Sequence, residues 1–282
     1  VRADALFVEL TEVRAVQAAG HAWSTGQARA VAAAVRTVKG SGTMDTATAR
    51  SLRGLLQAQP AIARSALDAT LPVLDQTRRA SVEDADEALG RRNLRDALSP
   101  SERSRLTGRD AAAVGVLALA FSRFAVECEA RARAALADGL RREAPVHQVV
   151  SALENATLGR VGTAEVIART EAAYAWSAVQ NGVVDVLSGV VPGMRKRWTE
   201  LVNDMTGAPL DNRVAPDSMV LHGQLAVDGL FIMPPDDRAP SKMVGKTWAQ
   251  PPNRRNDRAR LTVWRAGWGV PAWEWRGRRV AV

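Results

Sequence analysis

The feature that most constrains this chain is how unevenly alanine and proline are spread along it. Residues 1–150 hold 34 Ala, 4 Pro and a single Trp, whereas residues 191–282 hold 9 Ala, 9 Pro and 6 Trp. Alanine loses no side-chain entropy in a helix, while proline lacks the N–H and clashes with the preceding turn. The first half is therefore expected to be helical almost throughout, and the last third irregular with short strands. The fold class that follows is α+β: a mainly α-helical N-terminal bundle, a small α+β domain with short strands, and a basic, Trp-rich tail. The expected boundaries are 1–158 for the Ala-rich helical domain or arm, 159–258 for the small domain and 259–282 for the tail. A length of 282 residues fits about two domains.

Caps and apolar spacing place the helices. Ser24 with Gln27 fits a capping box ahead of an Ala/Val-rich run to about Lys39. Gly40-Ser41-Gly42 reads as a break, with Thr43 able to cap the next helix. Ser99-Pro100-Ser101-Glu102 is the clearest start, with a capping side chain, proline in the first turn and Glu three residues on. One long helix is expected from about Asp110 to Arg142, with Val114, Leu117, Phe121, Phe124 and Cys128 as its apolar stripe, ended or redirected at Pro145. Slender Ala-rich helices pack closely into an elongated bundle, read either as a spacer arm or simply as a helical core. Another helix begins near Thr163, with an apolar face through Ile167, Tyr174, Ala178 and Val179. After Gly182 the chain is expected to turn β-like, with candidate strands at 196–202, 219–221 and 230–233.

Several chemistries are excluded. One cysteine, Cys128, makes no internal disulfide and no Cys-based structural zinc site. His21, His147 and His222 show no HExxH or HxxxH spacing, so no metal and no cofactor is expected. There is no phosphate-cradling Gly-x-x-x-x-Gly-Lys loop and no Gly-x-Ser-x-Gly elbow. The longest uncharged apolar run, residues 111–121, falls short of the roughly 18–20 residues that span a bilayer. Val1-Arg2-Ala3-Asp4 does not read as a signal peptide. No membrane partner is expected.

The C-terminal segments follow a distinctive order. An Ile-Ala-Arg169-Thr170-Glu171 helix comes first, then a strand with Lys-Arg-Trp198. Asp211-x-Arg213 and a His222-Gly223-Gln224 turn follow. Phe231 precedes a Pro pair, and Trp248 leads to Pro251-Pro252-Asn253 and Arg255. This order resembles the C-terminal domain of the phage Mu F-like minor head proteins, also called head morphogenesis proteins, over about residues 160–260. The family pattern commonly ends Asn-Cys-Arg-Cys, where this chain has Asn253-Arg254-Arg255-Asn256 and neither cysteine. The resemblance implies a virion component assembled in the host cytoplasm and bound to the portal protein at the packaging vertex. There it would help to make heads that package or deliver DNA, with packaged DNA and the major capsid protein as further partners.

Arg169, Glu171, Asp211, Arg213, His222, Gln224, Asn253 and Arg255 are read as one structural polar cluster, with no catalytic residue assigned. The competing reading is a hydrolase or transferase with His222 as base and Glu171 or Asp211 as its orienter. Residues 251–282 carry eight arginines against two acids, six of the chain's eight net positive charges. Arg254, Arg258, Arg260, Arg265, Arg276, Arg278 and Arg279 are interleaved with Trp264, Trp268, Trp273 and Trp275. Arginines neutralise phosphates without regard to sequence, and tryptophans stack on bases or anchor in protein grooves. This set is expected to face DNA or the portal. A sequence-nonspecific DNA-binding protein acting through the tail is the second functional reading.

Overall fold

The structure is a computed structural model. It describes residues 3–38, 42–90, 94, 97–108, 111–200, 202, 208–209, 214, 216–252, 257, 259–265 and 267–268, with only the backbone for 3–10. In chain order the helices are α1 (Ala3–Thr37), α2 (Thr46–Leu52), α3 (Gly54–Gln57), α4 (Gln59–Gly90), α5 (Pro100–Thr107), α6 (Ala111–Arg141), α7 (Val146–Thr157) and α8 (Val161–Leu187). There follow strand β1 (Met194–Thr199), helix α9 (Pro216–Leu221) and strands β2 (Phe231–Ile232), β3 (Thr247–Trp248) and β4 (Arg260–Arg265). The α+β class with a helical N-terminal part holds.

The chain divides into two compact units. A helical unit comprises 13–73 and 110–168, and a C-terminal unit comprises 1–12, 74–109 and 169–282. This division differs from the 158/159 boundary read from composition, because composition cannot register that 1–12 and 74–109 belong with the C-terminal residues.

The helical unit is built on the expected stripe. Leu117, Phe121, Phe124 and Cys128 of α6 are buried, and Trp23 stacks on Phe124 with ring centroids 4.3 Å apart. A second apolar cluster joins Val31, Leu52, Leu55, Leu136, Val149 and Leu153. Gly139 lets α6 and α7 approach, since a Cβ there would run into Val149. Two local expectations fail. α1 is continuous through Ser24, whose hydroxyl donates back to the His21 carbonyl (3.1 Å) rather than capping a new helix. α2 is capped by Asp45, not Thr43: Asp45 Oδ1 accepts from Thr48 N at 2.6 Å, which lowers the Asp45 pKa, while Thr43 bridges to Pro145.

By length and composition alone, the segment that holds α5 and α6 includes an 18-residue window apolar enough to cross a membrane, of which 28% is buried. This corrects the expectation that no segment reaches that length. Beyond Phe121 the apolar character continues, interrupted at first only by Ser122 and Arg123.

In the C-terminal unit the Ser99 capping box is present: Glu102 N donates to Ser99 Oγ (3.3 Å) and Ser99 N to Glu102 Oε2 (2.7 Å). Three further expectations are corrected. α8 does not turn β-like at Gly182 but runs on to Leu187. Its Ala178 is exposed, not part of the apolar face. Residues 219–221 lie in α9, because Pro216 and Asp217 start a helix there. β1 pairs antiparallel with β4, from Met194↔Arg265 to Thr199↔Arg260, and β2 with β3 through Phe231↔Trp248. β4 lies inside what composition read as tail.

Candidate functional site

Of the polar residues singled out from the sequence, His222 and Gln224 lie beside β1 and Arg169 and Glu171 on α8, all within the C-terminal unit. Met194, Trp198 and Glu200 share one parity along β1 and the residue after it, and all three are buried, although Arg197 on the other face is buried too. Trp198 is fully buried, edge-on to Phe231 (5.3 Å) and Trp248 (6.4 Å), and its Nε1 donates to Glu200 Oε1 at 2.8 Å. Ser218, on α9, hydrogen-bonds through Oγ to Glu200 Oε1 and to Asp257 Oδ2 (2.9 Å). Glu200, Ser218 and Asp257 are 3%, 0% and 0% exposed, which places this group out of reach of bulk water.

His222 ends the α9 segment and is likewise buried. Its Nδ1 accepts from the Glu200 backbone N–H at 2.8 Å. A neutral imidazole has one acceptor nitrogen. That acceptor is committed to the main chain, so the ring's other nitrogen is the one that bears hydrogen. Gly223 adopts φ +81°, the left-handed region that glycine enters at no steric cost, and its N–H donates to the Trp198 carbonyl at 2.8 Å. Gln224 clamps Ile232 from both sides: Nε2 donates to its carbonyl (2.8 Å) and Oε1 accepts from its N–H (3.0 Å). The His-Gly-Gln turn thus ties β1 to β2 with every side chain engaged.

A second polar centre lies on α8. Arg169 Nε pairs with Glu12 Oε1 (3.1 Å), and Arg260 Nη2 approaches Glu12 Oε2 (3.5 Å) while its guanidinium lies 5.9 Å from the Trp176 ring centroid. Ser177 Oγ accepts from Leu261 N (3.2 Å), and Tyr174 OH donates to the Pro252 carbonyl (3.1 Å). Burial, reinforced by the nearby Glu171 and Asp257 carboxylates, raises the Tyr174 pKa. Glu171 itself is half-buried.

The expected cluster is therefore split and enlarged. Arg169 and Glu171 lie on α8 and His222 and Gln224 beside β1; Asp211, Arg213, Asn253 and Arg255 lie outside the described residues. Glu12, Glu200, Ser218 and Asp257 were missed. Glu200 carried a signal, being two residues from Trp198 on a strand, but Glu12, far away in sequence, carried none. Among the described residues no group of three or more His, Cys, Asp or Glu is placed to hold a metal. Cys128, in the helical unit, is buried, and desolvation pushes its thiol up to about 11, so it is a poor nucleophile near neutral pH.

The basic set is also divided. Arg260 faces inward to Glu12 and Trp176, which corrects its assignment to a DNA or portal surface. Trp264 is half-buried, and Trp268 packs against the cluster of Val183, Leu187, Val191 and Met194. Arg265 is half-buried on β4. Arg254, Arg258, Trp273, Trp275, Arg276, Arg278 and Arg279 lie outside the described residues.

No family profile, curated protein or solved structure matches this chain.

Proposed function

We propose that this chain is a structural minor head protein of the Mu F-like type, held at the portal of a phage head and close to packaged DNA, and that it acts as an architectural part rather than a catalyst. One observation carries the reading. Seven described residues of the resemblance do fold-holding tasks. Arg169 pairs with Glu12, Trp198 and Phe231 form the core, and His222 and Gln224 are bonded to main chain. Gly223 makes the turn, and Pro252 receives the Tyr174 hydroxyl. Residues that follow the order of the resemblance and are spent on packing support a scaffold like that of the head proteins, and with it their assembly role. His222 has no free lone pair to act as a base, which argues against the hydrolase or transferase reading.

The test is coexpression with the portal protein of the same phage. The chain is expected to co-elute with portal rings and to appear in purified heads. A chain that associates with neither rings nor heads at any salt concentration sinks the proposal. The second reading, sequence-neutral DNA binding, is favoured by the positive charge of residues 251–282. Because β4 belongs to the sheet, the informative truncation removes 269–282 only. Loss of salt-sensitive DNA binding in that truncation supports the tail as the cause, and unchanged binding eliminates it.

A further inference from the structure

A long helix that is apolar on two opposite faces is stable between two partners, not at a surface. α6 is such a helix. Its inner face, Leu117, Phe121, Phe124 and Cys128, is buried in the helical unit. Its outer face carries Val116, Leu119, Val126, Ala130, Ala134 and Ala137, recurring at helical spacing, and all are exposed. Val116, Leu119 and Val126 are 56%, 50% and 63% exposed, more apolar surface than a solvated helix face presents. The stripe extends over about 30 Å at 1.5 Å per residue.

The stripe is asymmetric along its length, and the asymmetry identifies what fits it. The N-terminal half projects large side chains, Val116 and Leu119; the C-terminal half is lined by alanines. Beside Ala137 lies a groove of about 590 Å³ between α6 and the α2–α3 segment, its floor made by Leu56, Leu136 and Leu140 and its polar lining by Arg53, Glu129 and Arg133. A second α6 laid antiparallel, with its two-fold axis near Phe124 and Ala125, sets the large half of each helix on the small half of the other. Leu119 then meets Ala130, and Val116 meets Ala134. The same axis brings Arg123 beside Glu127 of the other copy. Both in-chain bonds of Glu127, from Arg131 (3.0 Å) and Arg160 (2.9 Å), fall on Oε1, so Oε2 is available to it. Knob matched to hollow and cation to anion by one two-fold operation is the signature of an isologous interface. Glu127, Glu129 and Asp138 alternate with arginines along α6, a mixed pattern that suits a copy of itself better than an anionic lipid surface.

We infer that the outer face of α6 is a self-association surface, on which two copies of this chain pair antiparallel through Val116, Leu119, Val126 and the alanines beyond them. The experiment uses the full chain in sedimentation velocity over a concentration series. A dimer is expected, and Leu119→Glu, which sets a carboxylate against Ala130, is expected to weaken it at least about tenfold, as loss of a central apolar anchor does. Far-UV circular dichroism and the melting temperature of that variant are expected to stay unchanged. Cysteine pairing reports direction independently of the charge change. Chains carrying Leu119→Cys mixed with chains carrying Ala130→Cys are expected to form 119–130 disulfides, with little 119–119 product. A monomer throughout the series, a dimer that Leu119→Glu leaves intact, or dominant 119–119 crosslinking overturns the inference. So does a monomer that floats with phosphatidylglycerol vesicles through the same residues, which would make the face a lipid surface.

Discussion

The two compact units bury different chemistry, and the difference decides how each tolerates change. The helical unit is filled by interchangeable aliphatic and alanine contacts such as Val31, Leu52, Leu55, Leu136 and Leu153. Such contacts are non-directional, so identity matters less than volume. The C-terminal unit adds to its apolar cluster a set of directional bonds between residues distant in sequence: Glu12 with Arg169, Ser218 with Asp257, His222 with the Glu200 amide. There a change of one atom strands a buried partner. The lesson is that the C-terminal unit depends on exact residue types where the helical unit depends on pattern.

The sharpest way to break this comparison is Trp198→Ala. It empties a fully buried site against Phe231 and Trp248 and removes the donor to Glu200. A loss of about 3–5 kcal/mol is expected, read as a fall in the denaturant midpoint, whereas Leu153→Met in the helical unit is expected to cost under about 1.5 kcal/mol. Equal losses would erase the distinction. Next in size is Glu12→Ala, which takes the shared carboxylate from buried Arg260 and half-buried Arg169. Truncating one member of a buried ion pair costs about 3 kcal/mol or more. Replacing Arg169 and Glu12 together with apolar residues is expected to recover only the share of that loss due to Arg169, because Arg260 still loses Glu12.

The helical unit contains one exception that sharpens the rule. Gln27 and Gln59, both fully buried, exchange amide hydrogen bonds of 2.7 and 3.0 Å. Gln27→Leu alone strands its partner and is expected to cost about 1–3 kcal/mol, while Gln27→Leu with Gln59→Leu is expected to be nearly neutral. A double-mutant cycle by chemical denaturation reads the difference. Additive losses would show that the pair does not act as a unit.

The same contrast explains what was legible in the sequence. Helical character, the Leu117–Phe121–Phe124–Cys128 stripe and the Ser99 box are local properties of spacing and capping, and they appear as read. Ser24 and Thr43 misled because a capping residue type is compatible with helix interior or loop when longer packing decides. Residues 219–221 are short and apolar, a pattern that strand and helix share; the Pro216-Asp217 start tipped it to α9. β4 was hidden by its arginines, which look like a solvated tail until Arg260 is seen against Glu12. Glu12 and Asp257 owe their roles to topology, which no local window contains. The outer face of α6 was in plain view in the sequence, since the spacing that sets Leu117 on the inner stripe sets Val116 opposite it, yet no local window tells what covers that face.

The smallest expected effect comes closest to separating local structure from packing. α5 has no fully buried residue and meets the apolar cluster through half-buried Leu106, so its start depends mainly on the Ser99 box. Ser99→Ala is expected to cost about 1 kcal/mol, as loss of an N-cap does, with hydrogen exchange of residues 100–107 accelerated and the rest of the chain unaffected. The box also fixes a pH dependence. Hydrogen bonds from the Ser99 hydroxyl and backbone hold the Glu102 carboxyl below its ordinary 4.5. A carboxyl whose folded pKa is depressed contributes stability that is present above its unfolded pKa and lost as pH falls through the folded one. Protection of α5 should therefore be flat from neutral pH down to the usual glutamate range and decline below it. In Ser99→Ala that decline should shrink, because the carboxyl has lost its hydroxyl donor. A variant whose α5 protection keeps the wild-type acid limb would show that Glu102 is held by something other than the cap.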